Sequence, residues 1–137
     1  LKNARDNEEY YIKENIDLGD TDDEIKLTYV YQKSRIATYL DKLPCKANSL
    51  IGSNGAKLSG GEKQKLAVAR ALMKDTPYVI LDEATSGFDV ESDAYLHDMI
   101  LNEMKGKTVI LITHRYENLE GMDKVLKLEE GRVTELK

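Results

Sequence analysis

The chain has 137 residues, with 20 Lys or Arg against 25 Asp or Glu, and its formal net charge at pH 7 is −5. An apolar share of 41% can build a core and excludes a wholly disordered chain, while the acidic balance argues against a protein that wraps nucleic acid. The longest aliphatic run, Val109 to Ile112, is far shorter than the roughly 20 residues of a membrane span, and the single Cys45 excludes an internal disulfide or a cysteine metal cluster.

The first half of the chain predicts short helices. A helical turn is expected over residues 11–16. The capping box that begins at Thr21 then predicts a helix over about 22–32. Ser34 is a candidate N-cap for a second short helix, which Pro44 ends because proline cannot continue a helix. A loop rich in glycine and asparagine follows.

The second half predicts alternating helices and strands. In chain order these are a helix over 61–74, a strand over 78–81, a helix over 91–104, a strand over 108–113, and a hairpin of 124–128 with 132–136. Both predicted strands before the hairpin are apolar at every position, which favours a parallel sheet covered on both faces. We therefore expect an α-helical part over 1–75 and part of an α/β sheet over 76–137.

Two carboxylates and a histidine follow the predicted strands. Asp82 and Glu83 come directly after the first strand, and His114 follows the second. Ligands of parallel sheets bind at the carboxyl ends of the strands. There Asp82 is suited to hold Mg²⁺ through water, Glu83 to activate an attacking water, and His114 to donate a hydrogen bond to a phosphate. The alternative for each is an ordinary polar residue at the start of a solvated loop.

A second candidate site precedes the helix over 61–74. The segment reads Leu58-Ser59-Gly60-Gly61-Glu62. Two glycines allow a close approach of the backbone, and the free amides of a helix N-terminus attract an anion such as phosphate. Taken alone, the segment is better explained by Ser59 acting as the N-cap of the helix.

The order of the motifs favours function over these simpler explanations. The motifs are Leu58 to Glu62, Ala69-Arg70-Ala71-Leu72, Leu81-Asp82-Glu83-Ala84-Thr85, Ser86-Gly87-Phe88-Asp89 and Thr113-His114-Arg115. This series closely resembles the ATP-binding cassette (ABC) ATPase family. In that resemblance 58–62 is the signature motif, 78–83 the Walker B strand, 86–89 the D-loop and His114 the switch histidine. Upstream, Glu14-Asn15-Ile16 resembles the helical subdomain of exporter-type ABC transporters.

The resemblance implies a fold class and a mechanism. The fold is α/β, a partial P-loop NTPase (RecA-like) parallel sheet preceded by an α-helical signature subdomain. The cofactors are ATP and Mg²⁺, with Glu83 and His114 catalytic and Asp82 at the metal. Ser59, Gly60, Gly61, Glu62 and Asp89 bind nucleotide. The implied partners are a second ABC ATPase domain in a head-to-tail dimer and the transmembrane domains of a transporter, with no nucleic acid, at the cytoplasmic face of the plasma (inner) membrane.

The sequence also departs from the family pattern. It contains no G-x-x-x-x-G-K-[ST] segment, the phosphate-binding Walker A motif. Phe88 stands at a D-loop position where the family has a small residue, and Ser53 stands where exporters often carry an acid. We therefore expect the chain to be the carboxyl-terminal part of a cassette, and to be inactive alone.

Two other functions remain as alternatives. One is the signature half of an SMC-like or repair ATPase acting on DNA, in which a coiled coil separates the two halves of the cassette. Residues 1–57 lack the sustained heptads of a coiled coil, which argues against it. The other alternative is a non-catalytic fragment that only binds another cassette.

Overall fold

The chain folds into a helical part followed by an α/β part. The computed structural model describes residues 11–17, 23–52, 57–82, 90–114 and 119–137. The helices are α1 (Ile12–Asp17), α2 (Glu24–Lys33), α3 (Ala37–Leu40), α4 (Gly60–Lys74) and α5 (Val90–Asp98), with a 3-10 turn at Lys46–Asn48 and a π-helical continuation of α5 at Met99–Glu103. The strands are β1 (Tyr78–Asp82), β2 (Thr108–Ile112), β3 (Leu126–Glu129) and β4 (Arg132–Glu135).

Helix α4 lies between two hydrophobic clusters. Its residues Leu66, Ala69 and Met73 belong to the first, which includes the buried side chains of α1 and α2. Val68 points into the second, which is built from α5, its π-helical continuation and the inner face of the sheet. Apolar residues at helical spacing on two sides of one helix thus join the helical part to the α/β part.

Strands β1 and β2 pair in parallel, as the sequence predicts. The register places Tyr78 opposite Thr108 and Asp82 opposite Ile112. Among the described residues, β3 and β4 form a separate antiparallel hairpin, which also agrees with the prediction. The connection through α5 makes a βαβ unit, so the chain has the α/β class with a parallel sheet.

One face of the β1–β2 sheet is not covered in this chain. Val79 is buried in the second cluster, whereas Tyr78 and Ile80 are 71% and 66% exposed. Ile110 and Ile112 on β2 are 51% and 49% exposed. The sequence predicts strands covered on both faces, so the structure differs here: among the described residues, only one face is packed. Parallel sheets rarely leave such a face open.

Two predicted helix caps are replaced by other residues. The box that begins at Thr21 predicts an earlier start for α2, and Thr21 itself lies outside the described residues. The N-cap of α2 is Asp23, whose Oδ1 accepts a hydrogen bond from Lys26 N. Ser34 was predicted to start the next helix; instead its backbone forms the C-cap of α2, and its Oγ donates to Val30 O at 2.8 Å. Short polar side chains bond the nearest backbone group on either side, so residue type alone does not fix which helix they cap.

We expect the 137-residue chain by itself to associate through the open face of the sheet. Burying these apolar side chains against a second molecule removes them from water, and the unpaired strand edges invite pairing. Light scattering over a concentration series should show mass increasing above that of a monomer. Ile80→Lys should restore the monomer, whereas Val79→Lys, one residue away but buried, should unfold the chain. A wild-type chain that stays monomeric at high concentration would contradict the prediction.

Candidate functional site

The predicted signature segment forms the N-terminus of α4. Ser59 is the N-cap: its Oγ accepts from Glu62 N at 3.3 Å, and Glu62 Oε2 accepts from Ser59 N at 2.6 Å. This reciprocal pair is a capping box. In the capping box the Ser59 Oγ acts only as an acceptor, so the same hydroxyl can still donate a hydrogen bond to another group. Capping and anion binding are therefore compatible at this helix start.

The two glycines keep the helix start open. Gly60 and Gly61 occupy the first turn of α4, where backbone amides have no partner within the helix. A Cβ added at Gly61 would meet nothing within 4 Å. The described part of the chain thus gives no steric reason for glycine at position 61. A need for close approach by something outside this chain would explain it.

Helix α4 is held against α1 by Arg70. Its Nε donates to Asn15 O at 2.8 Å, and its guanidinium also donates to Asn15 Oδ1 at 3.3 Å. Burial lowers the pKa of Arg70, and the two hydrogen bonds offset part of the cost of placing its charge there. Asn15 and Arg70 are 55 positions apart, so no local sequence pattern predicts their joint role in fixing α4 against α1.

The far end of α4 is attached to the start of β2. Asp75 ends the helix with a left-handed backbone at φ +50°. Lys107 Nζ donates to Asp75 Oδ1 at 2.6 Å and to Thr76 O at 2.9 Å. The hydrogen bond from Lys107 is the main cause that lowers the pKa of Asp75. Both ends of α4 are therefore fixed, one by a capping box and the other by Lys107, the residue directly before β2.

Asp82 and His114 lie at the same edge of the parallel sheet. Asp82 is the last residue of β1 and its register partner is Ile112, two residues before His114. Both side chains are exposed. The register thus brings the predicted metal ligand and the predicted switch histidine to the carboxyl ends of neighbouring strands, where ligands of such sheets bind.

Two predicted site residues lie outside the described part of the chain. They are Glu83, which follows Asp82 directly, and Asp89, which precedes α5. Their roles as catalytic base and nucleotide-binding residue stay predictions.

The chemistry at the sheet edge fits Mg²⁺ bound together with a phosphate. Among the described residues, no group of three or more His, Cys, Asp and Glu side chains could hold a metal ion alone. Mg²⁺ is typically bound through one or two carboxylates, several waters and the oxygens of substrate phosphates. The exposed carboxylate of Asp82 suits that mode.

Comparison with known proteins identifies a family. A family model described as ABC transporter matches residues 2–86. An ATP-dependent lipid A-core flippase of Burkholderia orbicola is 38% identical over 124 residues, which cover 90% of this chain and 21% of the flippase. The flippase of Albidiferax ferrireducens is 46% identical over 97 residues, covering 71% of this chain and 17% of the flippase. The chain therefore spans about a fifth of the length of the relatives it matches.

A solved structure agrees with the sequence comparisons. The structure of a bacterial Atm1-family ABC exporter with ATP bound superimposes with a TM-score of 0.79 and 32% identity, covering 90% of this chain and 22% of that one. In the described residues, no helix is long and apolar enough to span a bilayer. Fold, motif order and comparisons agree: the chain belongs to the ABC transporter family and is homologous to part of the ATPase domain of ABC exporters.

Proposed function

We propose that this chain forms part of the nucleotide-binding domain of an ABC exporter, which couples ATP binding and hydrolysis to transport. The observation that carries the proposal is the placement of the motifs. A capped, glycine-bearing helix start lies on α4, and Asp82 and His114 lie together at the carboxyl edge of a parallel sheet. The helix start suits a phosphate that accepts hydrogen bonds from backbone amides, and the sheet edge suits a phosphate with a bound metal ion.

Each residue then has a defined role. Ser59, Gly60 and Gly61 donate hydrogen bonds to a γ-phosphate, with Glu62 holding the helix start in shape through the capping box. Asp82 would hold Mg²⁺, which would neutralise charge on the phosphate oxygens when bound. Glu83 orients and deprotonates the attacking water, His114 donates to the γ-phosphate, and Asp89 contacts the nucleotide from the segment before α5.

The proposed assembly has two ATPase domains arranged head to tail. The signature helix of each domain closes on the nucleotide held by the other, and the transmembrane domains respond to that closure. The exporter names of the relatives and of the superimposed structure support such partners, and a position at the cytoplasmic face of the plasma (inner) membrane.

We expect the 137-residue chain alone to hydrolyse no ATP and to bind Mg·ATP only weakly. In P-loop enzymes the backbone amides and lysine of the Walker A motif supply most of the triphosphate affinity, and this sequence contains no such motif. Calorimetry with Mg·ATP on the chain, alongside phosphate release by the intact protein, tests the proposal. The intact protein should hydrolyse ATP. Tight binding by the monomeric chain, or an intact protein without ATPase activity, would contradict it.

A further inference from the structure

The turn that ends α2 is bonded to α5 through a buried tyrosine. Tyr95 Oη donates to Ser34 O at 2.8 Å, and the two residues are 9% and 0% exposed. Burial raises the pKa of Tyr95, so its hydroxyl stays protonated and remains a donor. The acceptor is a C-terminal carbonyl of α2, which has no partner within its own helix. This hydrogen bond therefore satisfies a buried group that would otherwise be costly.

Two ion pairs flank this hydrogen bond. Arg35 pairs with Asp98, and Lys33 Nζ lies 3.1 Å from Glu103 Oε2. The four side chains are partly exposed, between 22% and 54%, so solvent screens both pairs and each contributes little by itself. Their effect is mainly geometric, since they limit how α5 can turn about the Tyr95 contact.

The same tyrosine ring also contacts the signature helix. Lys65 Nζ on α4 lies 5.9 Å from the ring centroid, and the guanidinium carbon of Arg35 lies 5.8 Å from it. Val68 on α4 belongs to the same buried cluster as Tyr95. The tyrosine thus touches three elements: the α2–α3 turn, α4 and its own helix α5.

The positions of these contacts along the chain give them a functional meaning. Tyr95 lies about one and a half turns from the start of α5, which directly follows the segment containing Glu83 and Asp89. Lys65 lies equally close to the start of α4, where the signature glycines are. We propose that Tyr95 is a positioning residue that fixes α5, the helix that follows residues 83–89 in the chain, relative to the signature helix α4. This inference rests on the proposed function and adds a residue to it.

The kinetic test is Tyr95→Phe in the intact protein, which removes the hydroxyl but keeps the ring. We expect kcat per active site to fall about threefold to tenfold, the order of one hydrogen bond, with KM for Mg·ATP changed less than about twofold. Tyr31→Phe is the matched control, since among the described residues its buried hydroxyl has no hydrogen-bond partner. It should leave both constants unchanged. If Tyr95→Phe lowers only the fraction of active sites and leaves kcat per active site unchanged, the role of Tyr95 is only structural and the inference is overturned.

A second measurement needs no turnover. Spin labels at Ala67→Cys on α4 and Ala94→Cys on α5, both exposed positions, report the distance between the two helices once the exposed Cys45 is replaced by serine. Tyr95→Phe should broaden the distance distribution, and Tyr31→Phe should not. An unchanged distribution would overturn the inference. An intact wild-type protein without ATPase activity would instead overturn the proposed function, and the labels would still decide the role of Tyr95.

Discussion

Replacing Glu83 by glutamine in the intact protein should lower ATP turnover by roughly 10²–10⁴-fold, the usual contribution of general-base catalysis. Glutamine keeps the shape of the side chain but cannot accept the proton of the attacking water. ATP should still bind, because the phosphate ligands are unchanged. Steady-state phosphate release and equilibrium binding of labelled ATP, measured on the same preparation, separate the two effects.

Two comparisons make this result specific to Glu83. Glu91→Gln removes an exposed carboxylate in the first turn of α5 and should leave turnover nearly unchanged. Asp82→Asn should shift the Mg²⁺ concentration required for activity, since it alters the carboxylate assigned to the metal. Normal turnover by Glu83→Gln would transfer the role of base to His114, the histidine assigned to this site.

The second large effect is expected from Gly61→Asp, which should prevent ATP-driven dimer closure without unfolding the domain. A Cβ at this position meets nothing within 4 Å, and a carboxylate in the first turn interacts favourably with the helix dipole. The domain should therefore keep its thermal stability and its own ATP binding. In the proposed head-to-tail assembly closure should fail, because the new negative charge would face a phosphate held by the other domain. Gly61→Asn, which adds similar bulk without the charge, should fail less completely.

Counting trapped nucleotides tests whether the signature acts across the interface. Both domains carry Glu83→Gln, so that ATP is retained, and only one carries Gly61→Asp. One nucleotide per dimer should be occluded, compared with two in the reference dimer. A photoreactive ATP analogue should label the Gly61→Asp domain, because the nucleotide of that domain faces the intact signature of its partner. Equal trapping at both sites would mean that the signature does not act on the nucleotide of the partner domain. Loss of ATP binding by the isolated Gly61→Asp domain would lead to the same conclusion.

The elements that could be predicted from the sequence are those whose caps, apolar spacing and end residues lie close together in the chain. The helix predicted over 61–74 is observed at Gly60–Lys74, because its cap, apolar spacing and stop all lie within or beside it. The strand predicted over 78–81 is observed at Tyr78–Asp82 for the same reason. The parallel register, which brings Asp82 and His114 to one edge, followed from the βαβ order.

Other features depend on contacts between distant residues and carry no local signal. The bond from Tyr95 to Ser34 joins residues 61 positions apart, and a tyrosine on the buried side of a helix ordinarily predicts only packing. The hydrogen bonds from Arg70 to Asn15 are equally non-local. The helix predicted over 91–104 changes to π-helical backbone at Met99–Glu103, although its sequence contains neither glycine nor proline. Nothing in its local pattern marks the change.

Helix α4 packs against both hydrophobic clusters, and this limits where such a domain can be joined to part of a related protein. A gene fusion with its junction near Asp75 would keep Leu66 and Met73 in their own cluster but would pack Val68 against foreign residues. A junction ahead of Gly60 would keep the contact of Val68 with its own cluster but would pack α1 and α2 against a foreign helix. Exchange between relatives should therefore succeed when α1 to β2 move as one block, and functional hybrids with a crossover inside that block should require compensating changes on both sides of α4.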